Sequence, residues 1–366
     1  MFEVVGEDEN ARAGKLHTAH GTVDTPCFMP VATKGSVKTL SSDELGDMDI
    51  EAIISNAFVL YLKPGIDVIE KAGGLHRFMN WDRTLFTDSG GFQMLKKEFV
   101  FNVSEKGVMF RSPFDDTRHM FTPEKCVEVQ EVLESDVVMV LDDCPPYGKD
   151  HKHMRDSIMR TTNWAKRSKV AHKHKKQLLF AIVQGGVFRN LREKSATSLV
   201  EMDFDGYGIG GLSIGETRKK MFEVLEYTLP LLPEEKPRYL MGVGSPGELL
   251  ESISLGVDIF DSAFPTRNAR HNAVYTWNGS YNITRGKYTN DFSPLEEGCN
   301  CYACQKYTKA YVRHLMVVYE MLGMRLITIH NLHFLRELMR KTRETVLENR
   351  FSKFKKEFNK IMGLCQ

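Results

Sequence analysis

The sequence predicts an α/β protein built on a (β/α)8 TIM barrel, and two observations lead to this prediction. Eight short apolar runs have the length and composition of strands, and longer amphipathic stretches between several of them suit helices that cross a parallel sheet. A doubly wound open sheet is the structural alternative, but no glycine-rich phosphate-binding fingerprint follows the first run. We predict a single catalytic domain over residues 1–366.

The predicted elements follow one another along the chain. Residues 1–25 suit a β-hairpin, because turn-forming residues stand at 6–10 and at Gly21. The predicted barrel strands are residues 27–32, 51–56, 84–88, 136–142, 177–184, 206–211, 238–242 and 257–261, and the clearest helices are residues 123–134, 154–174, 218–229 and 246–255. Thr122 before Pro123 predicts a capped helix start. Residues 285–334 interrupt this rhythm with a cysteine cluster, and residues 335–366 suit charged C-terminal helices.

Hydropathy argues against a membrane protein, whereas overall charge excludes no class of partner. The chain has 49 Lys and Arg against 48 Asp and Glu, so charge alone neither indicates nor excludes a nucleic-acid partner. The longest apolar runs, such as residues 178–183, are far shorter than a membrane span, and the first residues lack the apolar core of a signal peptide. We therefore expect a cytoplasmic protein without a membrane partner.

Polar residues end several of the predicted strands. Asp88 ends the third, Asp142 and Asp143 the fourth, Gln184 the fifth and Asp261 the eighth. The carboxyl ends of all barrel strands meet at one mouth, so these side chains should share one pocket. Like charges there would supply both an ionised acid and a protonated one. An isolated Asp after a strand is more often a turn or helix-capping residue, and a divalent-metal hydrolase would use the same cluster.

Three of the seven cysteines crowd together as Cys299, Cys301 and Cys304. This spacing is typical of metal ligands in a reducing compartment and not of a disulfide framework. His330 completes a tetrahedral Cys3His zinc site in the favoured interpretation, with His333 as the competing fourth ligand. Since protein side chains would fill all four positions, the zinc should be structural, with one ion per chain in a zinc-binding subdomain at about residues 285–334.

Basic residues concentrate in three places. The run at residues 166–176 lies near the end of a predicted helix, where cations are favoured and usually solvated. Arg267 and Arg270 follow directly on Asp261 and should lie over the same mouth, where arginine suits phosphates and guanine edges. The basic residues of the C-terminal tail alternate with acids and indicate a solvated helix. In the run and the tail, RNA contact is the minority interpretation.

Together these motifs resemble the tRNA-guanine transglycosylases, also called queuine tRNA-ribosyltransferases. The matching segments, in family order and over nearly the whole chain, are residues 87–93 (TDSGGFQ), 141–144 (LDDC), 183–186 (VQGG), 210–216 (GGLSIGE), 239–244 (YLMGVG) and 260–270 (FDSAFPTRNAR), with the cysteine cluster and His330-Asn331. The resemblance implies exchange of guanine at the wobble position of G-U-N anticodon tRNAs for a 7-substituted deazaguanine, through a covalent aspartyl–ribose intermediate. The implied partners are the tRNA anticodon loop, a free deazaguanine base and a second copy in a homodimer.

The resemblance also implies a role for each matching residue. By it, Asp261 is the nucleophile that attacks the ribose C1′, and Asp88 is the general acid and base. The residues implied to bind the base are Phe92, Asp142, Gln184, Gly211, Leu212 and Met241, with Phe92 and Met241 on the two faces of the ring. Arg267 and Arg270 are implied to contact the anticodon loop, and Cys299, Cys301, Cys304 and His330 to bind zinc.

Two incoming bases and several other functions stay open. Relatives that take the small aminomethyl-deazaguanine precursor tend to have Val at the position of Ile214, and users of bulky queuine tend to have Gly, so a small base is favoured. Ser213 and the Asp142-Asp143 pair resemble the queuine users, whereas Cys144 resembles the precursor users. Archaeosine-forming relatives lack the Pro-Thr-Arg continuation found here. A non-catalytic partner subunit would lose the active-site acids, and an RNA-binding module without turnover is a further alternative.

Overall fold

The computed structural model describes residues 1–91 and 100–362. The strands, in chain order, are β1 (Phe2–Asp8), β2 (Ala11–Thr18), β3 (Gly21–Thr25), β4 (Cys27–Pro30), β5 (Ala52–Asn56), β6 (Thr84–Asp88), β7 (Val100–Ser104), β8 (Gly107–Arg111), β9 (Arg118–Phe121), β10 (Val137–Met139), β11 (Leu178–Val183), β12 (Gly206–Ile209), β13 (Arg238–Leu240), β14 (Ile259–Ser262), β15 (Ala273–Thr276) and β16 (Gly279–Asn282). The helices are α1 (Ser42–Asp47), α2 (Ala57–Leu62), α3 (Ile66–Ala72), α4 (Gly74–Met79), α5 (Pro123–Leu133), α6 (His151–Ala171), α7 (Arg189–Val200), α8 (Arg218–Thr228), α9 (Pro246–Ser254), α10 (Phe264–Arg270), α11 (Tyr302–Lys306), α12 (Lys309–Val317), α13 (Met321–Leu347) and α14 (Phe351–Ile361).

Eight parallel strands form the predicted barrel. The hydrogen-bonded order follows the chain, through β4, β5, β6, β10, β11, β12, β13 and β14. The last strand pairs with the first, and a parallel bridge between Val31 and Ile54 joins β4 to β5. Each connection between consecutive barrel strands contains at least one helix. The predicted (β/α)8 fold is confirmed, and each predicted barrel strand overlaps an observed one.

Local sequence explains where the crossover helices begin. Thr122 accepts a hydrogen bond from the Lys125 N–H, and Pro123 occupies the first turn of α5, as predicted. Asp150 and Thr217 cap α6 and α8 in the same way. The strands between such helices are buried along nearly their whole length, because helices cover the outside of the barrel and side chains fill its inside. The polar residues that follow the strands are therefore presented at the barrel mouth.

Three features outside the barrel go beyond the sequence prediction. The predicted N-terminal hairpin gains a third strand, because β3 pairs antiparallel with β2. An antiparallel sheet of β7, β8 and β9 lies between β6 and α5 in the chain. A hairpin of β15 and β16 follows α10 and leads into the cysteine-containing segment.

Helix α13 connects the barrel to a second, smaller core. Near its start, Leu326 and Ile327 pack in a cluster with Leu295 and Ala303 of the cysteine-containing segment. Further along, side chains such as Leu335 pack in the barrel core. The predicted division at residue 335 falls inside this continuous helix. None of the helices within residues 1–91 and 100–362 has the length and apolar character needed to cross a membrane.

Candidate active site

A cavity of about 530 Å³ opens at the carboxyl ends of the barrel strands. Its lining includes Asp88, Asp142, Gln184, Gly211, Leu212, Met241 and Asp261, which stand at or just after the ends of six different strands. The structure thus brings together residues that are far apart in the sequence. A concave site with a few converging polar groups is the usual form of a small-molecule site.

Asp261 lies in β14, and two donors hold its carboxylate. The Tyr239 hydroxyl donates to Oδ1 over 2.5 Å, and the Gly242 N–H donates to the same oxygen over 2.8 Å. Burial raises the pKa of the Asp261 carboxyl, and the two hydrogen bonds oppose that rise. Such a carboxylate suits a nucleophile, because the two hydrogen bonds partly offset the effect of burial on its ionised form and the group lies next to the cavity.

Asp88 ends β6 and faces the same cavity. Its Oδ1 accepts hydrogen bonds from Asn56 Nδ2 over 2.6 Å and from the Gly90 N–H over 2.8 Å. Burial, followed by the negative charge of Asp261, raises the pKa of Asp88 to about 7. The carboxyl group therefore exchanges its proton near neutral pH, as a general acid and base must.

Asp142 and Gln184 supply a second polar part of the cavity. Gln184 Nε2 donates to Asp142 Oδ2 over 2.7 Å, and burial raises the pKa of Asp142 to about 6. Gln184 Oε1 is buried without a hydrogen-bond partner among the described residues. Gly211 has a φ of +67°, and a Cβ there would stand 2.4 Å from Gln184 Oε1, so glycine is required beside this acceptor. A buried acceptor and a carboxyl group suit the N–H groups of a purine-like base.

Asp143 lies outside the cavity lining, so the expectation that all four strand-end acids share the mouth is wrong. The Asp143 Oδ2 atom lies 2.7 Å from Arg160 Nη2 of α6, and the Asp143 N–H donates to Thr161 Oγ1 over 3.0 Å. Successive side chains along extended backbone point to opposite sides. Asp142 therefore faces the cavity, while its neighbour faces the surrounding helix and forms an ion pair.

Apolar side chains complete the cavity wall. Leu212, Ile214 and Met241 line it, and Leu212 is buried. Phe92, the implied partner of Met241 across the ring, lies outside the described residues. The structure thus places one of the two implied stacking residues.

The loop after β12 has an internal brace. The Glu216 carboxylate accepts hydrogen bonds from the backbone N–H groups of Ser213 and Ile214.

Cys144 also lines the cavity, and burial raises the pKa of its thiol to about 12, so the thiol stays protonated. Ile214 and Cys144 are thus neutral groups on the cavity wall.

Cys299, Cys301, Cys304 and His330 form a cluster whose ligand atoms lie within 4.8 Å of one another. His330 Nδ1 stands 3.7, 3.5 and 3.4 Å from the three sulfur atoms, taken in chain order. His330 Nε2 lies 2.6 Å from the Tyr275 carbonyl oxygen, which places the ring proton on Nε2 and directs the Nδ1 lone pair at the sulfurs. The cluster can hold a metal ion, and His333 is not part of it.

A second group, His20, His76 and Asp136, is unsuited to a metal despite its composition. The two imidazole rings stack 3.7 Å apart and 22° from parallel. Ring-nitrogen lone pairs lie in the ring plane, so one ion cannot satisfy both rings. Asp136 Oδ1 and Oδ2 instead accept hydrogen bonds from His20 Nδ1 and the Leu85 N–H, each over 2.8 Å. This group stabilises the end of the barrel opposite the cavity, just before β10.

Comparisons with known proteins identify a family. A sequence model of the Queuine tRNA-ribosyltransferase family matches residues 8–363. The chain belongs to this family. It is 50% identical over 355 residues to the queuine tRNA-ribosyltransferase of Thermoanaerobacter sp. (strain X514), an alignment that covers 97% of this chain and 95% of the relative. It is 51% identical over 359 residues to that of Pelotomaculum thermopropionicum, with 98% and 97% covered.

Membership of the queuine tRNA-ribosyltransferase family confirms the resemblance seen in the sequence and the enzyme class that it implies. The two arginines after Asp261 both belong to α10 but differ in position. Arg267 lines the cavity, whereas Arg270 is absent from the lining and donates to the Thr266 carbonyl oxygen over 2.8 Å. Of these two arginines, therefore, only Arg267 lies beside the cavity itself.

Several members of the two other basic segments make contacts within the protein. Arg167 pairs with Glu124 of α5 over 2.7 Å, and Lys169 donates to a backbone carbonyl of the loop after α7. In the tail, Arg340 pairs with Glu337 over 2.8 Å. These contacts support a structural, solvated interpretation of both segments.

Several residues that hold the catalytic candidates in place were not predicted from the sequence. Asn56 ends β5 in the same way that Asp88 ends β6. Asn56 could therefore have been predicted as a site residue from its position as a polar residue at the end of a strand. Tyr239 lies inside β13 and offers no such signal. Arg218 and Glu248 also line the cavity. They form an ion pair between two crossover helices, with 2.6 Å between Arg218 Nε and Glu248 Oε1, and because they are far apart in the sequence this pairing could not be predicted.

Proposed function

We propose that the chain exchanges guanine at the wobble position of G-U-N anticodon tRNAs for a 7-substituted deazaguanine, through a covalent aspartyl–ribose intermediate. The observation that carries the proposal is one cavity with two carboxyl groups of unlike character. Asp261 is held by two hydrogen-bond donors, which favours an ionised nucleophile. Asp88 has a pKa of about 7, which favours proton transfer near neutral pH.

The first half-reaction releases guanine. The Asp261 carboxylate bonds to ribose C1′ as the bond between C1′ and guanine N9 breaks. Asp88 gives its proton to the departing base, so that guanine leaves as a neutral molecule. The ribose is then held as an ester of Asp261, and Asp88 is ionised.

The second half-reaction installs the new base. Asp88 takes a proton from the incoming deazaguanine, whose N9 bonds to C1′ while the ester bond breaks. Asp261 returns as a carboxylate and Asp88 as an acid. One glycosidic bond replaces another, so no external energy source is needed.

Recognition of the base uses the remaining cavity residues. The wobble nucleotide must leave its stack to enter a barrel mouth, which costs a few kcal/mol. Contact with Met241 and hydrogen bonds to Asp142 and Gln184 would offset this cost. The position of Arg267 in the cavity lining supports a contact with a phosphate or base of the anticodon loop, and we propose that Arg270 supports that contact from the same helix.

The small precursor base is the favoured incoming substrate. Ile214 lines the cavity with a β-branched side chain, which narrows the space that a bulky substituent would need. Queuine stays the alternative, because the narrowing side chain belongs to a loop and not to the barrel wall.

We also propose one structural zinc ion per chain, bound by Cys299, Cys301, Cys304 and His330. Three sulfurs and one imidazole nitrogen are a donor set that zinc prefers, and four protein ligands leave no position for substrate. The ion would stabilise the small core at the start of α13. A homodimer is proposed from the family resemblance, and sedimentation velocity of the zinc-loaded protein tests it.

The alternatives receive less support. A metal hydrolase would need a cluster of ligands in the cavity, and in the described residues the cavity carboxylates form no such group. A non-catalytic subunit or RNA-binding module would not need Asp88, Asp142 and Asp261 in one cavity. The archaeosine branch lacks the Pro265-Thr266-Arg267 continuation present in α10.

Exchange of labelled guanine into tRNA tests the proposal. The wild-type protein should incorporate label and form a denaturant-resistant protein–RNA adduct. Asp261→Asn should lose both, because an amide cannot attack C1′ or form the ester. Equal incorporation by Asp261→Asn would show that Asp261 is not the nucleophile.

A further inference from the structure

We infer that Tyr239 is a positioning residue that, together with the Gly242 N–H, fixes which oxygen of Asp261 attacks the ribose. The inference rests on the proposed function and concerns the orientation of its nucleophile. Tyr239 lies on β13, next to the strand that carries Asp261. Both donors end on Oδ1, at 2.5 and 2.8 Å. In the described part of the chain no donor contacts Oδ2, which leaves that oxygen to bond C1′.

The carboxyl group of Asp88, like that of Asp261, has two donors on a single oxygen. The repetition of this arrangement argues that it is a feature of the site and not a coincidence of packing. Its Oδ1 accepts one side-chain donor, Asn56 Nδ2, and one backbone donor, the Gly90 N–H. Asn56 lies directly opposite Asp88 on the neighbouring strand β5. Asn56 is itself held, because its Oδ1 accepts the Val59 N–H over 2.8 Å at the start of α2. Each carboxyl group therefore has one oxygen held by a neighbouring strand and one left for the reaction.

The surroundings keep the Tyr239 hydroxyl in place as a donor. The side chain is fully buried, and its ring meets Phe86 edge to face with centroids 6.1 Å apart. Burial and the charge of Asp261 raise the pKa of Tyr239 well above its ordinary value, so the phenol stays neutral over the working range of pH. The other charged groups that line the cavity are Asp88, Asp142, Glu248, Arg218 and Arg267.

The two donors also act on the intermediate. When Oδ2 bonds to C1′, Oδ1 becomes the ester carbonyl oxygen and keeps both hydrogen bonds. Donors bind an ionised carboxylate more strongly than an ester, which favours release of Asp261 in the second half-reaction. In the first half-reaction the same preference opposes attack, and on this inference the fixed orientation of Oδ2 outweighs that effect. Their loss should therefore slow turnover without weakening the binding of tRNA.

Tyr239→Phe tests this role, because it removes the hydroxyl and keeps the ring. The kcat for guanine exchange should fall about tenfold, as expected for loss of a hydrogen bond to a charged group, while the KM for tRNA stays within about twofold. The acid limb of the kcat profile should move up by about one pH unit, because a bond that lowers the pKa of Asp261 is lost. The covalent adduct should still form.

Tyr207→Phe is the matched control. Tyr207 is equally buried on the adjacent strand β12, but its hydroxyl lies 3.4 Å from the Phe204 N–H and outside the cavity lining. This variant should keep the wild-type kcat and pH profile. If Tyr239→Phe does not fold, 3-fluorotyrosine at position 239 keeps the shape and strengthens the donor, so the acid limb should move to lower pH.

The possible failures are distinguishable. A folded Tyr239→Phe enzyme with the wild-type kcat and acid limb, or a fluorotyrosine enzyme without a shift, overturns the inference about Tyr239 alone. Adduct formation by Asp261→Asn instead overturns the proposed function. Loss of the adduct in Asp261→Asn together with a shifted acid limb in Tyr239→Phe supports both.

Discussion

The protonation of Asp88 should control how base release depends on pH. Burial and the charge of Asp261 raise the pKa of Asp88 to about 7, so about half of the molecules hold the proton at neutral pH. A carboxyl group with an ordinary pKa would hold it in roughly one molecule in a thousand. Guanine release should slow about tenfold for each pH unit above that pKa, because only the protonated acid can donate. On the acid side the rate should also fall, as Asp261 with its raised pKa takes up a proton.

Single-turnover release of labelled guanine from tRNA measures this dependence directly. Asp88→Asn keeps the size of the side chain but cannot donate a proton, so release should slow by about 10²–10⁴-fold and lose its basic limb. Asp143→Asn is the matched control, because Asp143 follows a strand end but pairs with Arg160 outside the cavity lining. A basic limb that persists in Asp88→Asn, or wild-type release that is constant from neutral to alkaline pH, would refute the assigned role.

The metal cluster and the cavity wall lead to two further predictions. Cys304→Ser should lose zinc, as measured by elemental mass spectrometry, and unfold at a lower temperature, whereas Cys126→Ala, a buried thiol outside the cluster, should keep its zinc. Retention of zinc by Cys304→Ser would contradict the ligand assignment. Ile214→Gly should raise the kcat/KM for queuine relative to the small precursor by about tenfold or more, while Ile214→Val should change it little. An unchanged preference in Ile214→Gly would show that this side chain does not limit the pocket.

Much of the fold could be predicted because the barrel follows simple rules. Its strands are short apolar runs. Thr122 followed by Pro123 indicates the start of a helix, because threonine caps a helix N-terminus and proline is favoured at the first helical position. The sheet of β7 to β9 was missed, since its strands have only four or five residues each, and polar residues such as Asn102, Arg111 and Arg118 limit the apolar runs within them to three residues. The third N-terminal strand was missed for a similar reason, because its first residues are exposed.

The site residues could be predicted where a polar residue ends a strand. They could not be predicted where the direction of the side chain decides whether a residue faces the cavity. Asp88 and Asp261 follow that rule, and the structure places both in the cavity. Asp142 and Asp143 are adjacent acids, and sequence alone could not tell which one faces inward, because this depends on how Arg160 of α6 packs. Tyr239 could not be found from sequence, since a tyrosine inside a strand is usually only a core residue.

Mass spectrometry of the trapped protein–RNA adduct tests the central claim most directly. The claim is that Asp261 and Asp88 act on the same sugar–base bond from one cavity. After nuclease and protease digestion, the peptide containing Asp261 should carry a ribose-linked nucleotide that has lost its guanine, at the wobble position of the tRNA. A nucleotide attached to any other side chain, or an adduct that still contains guanine, would contradict the claim.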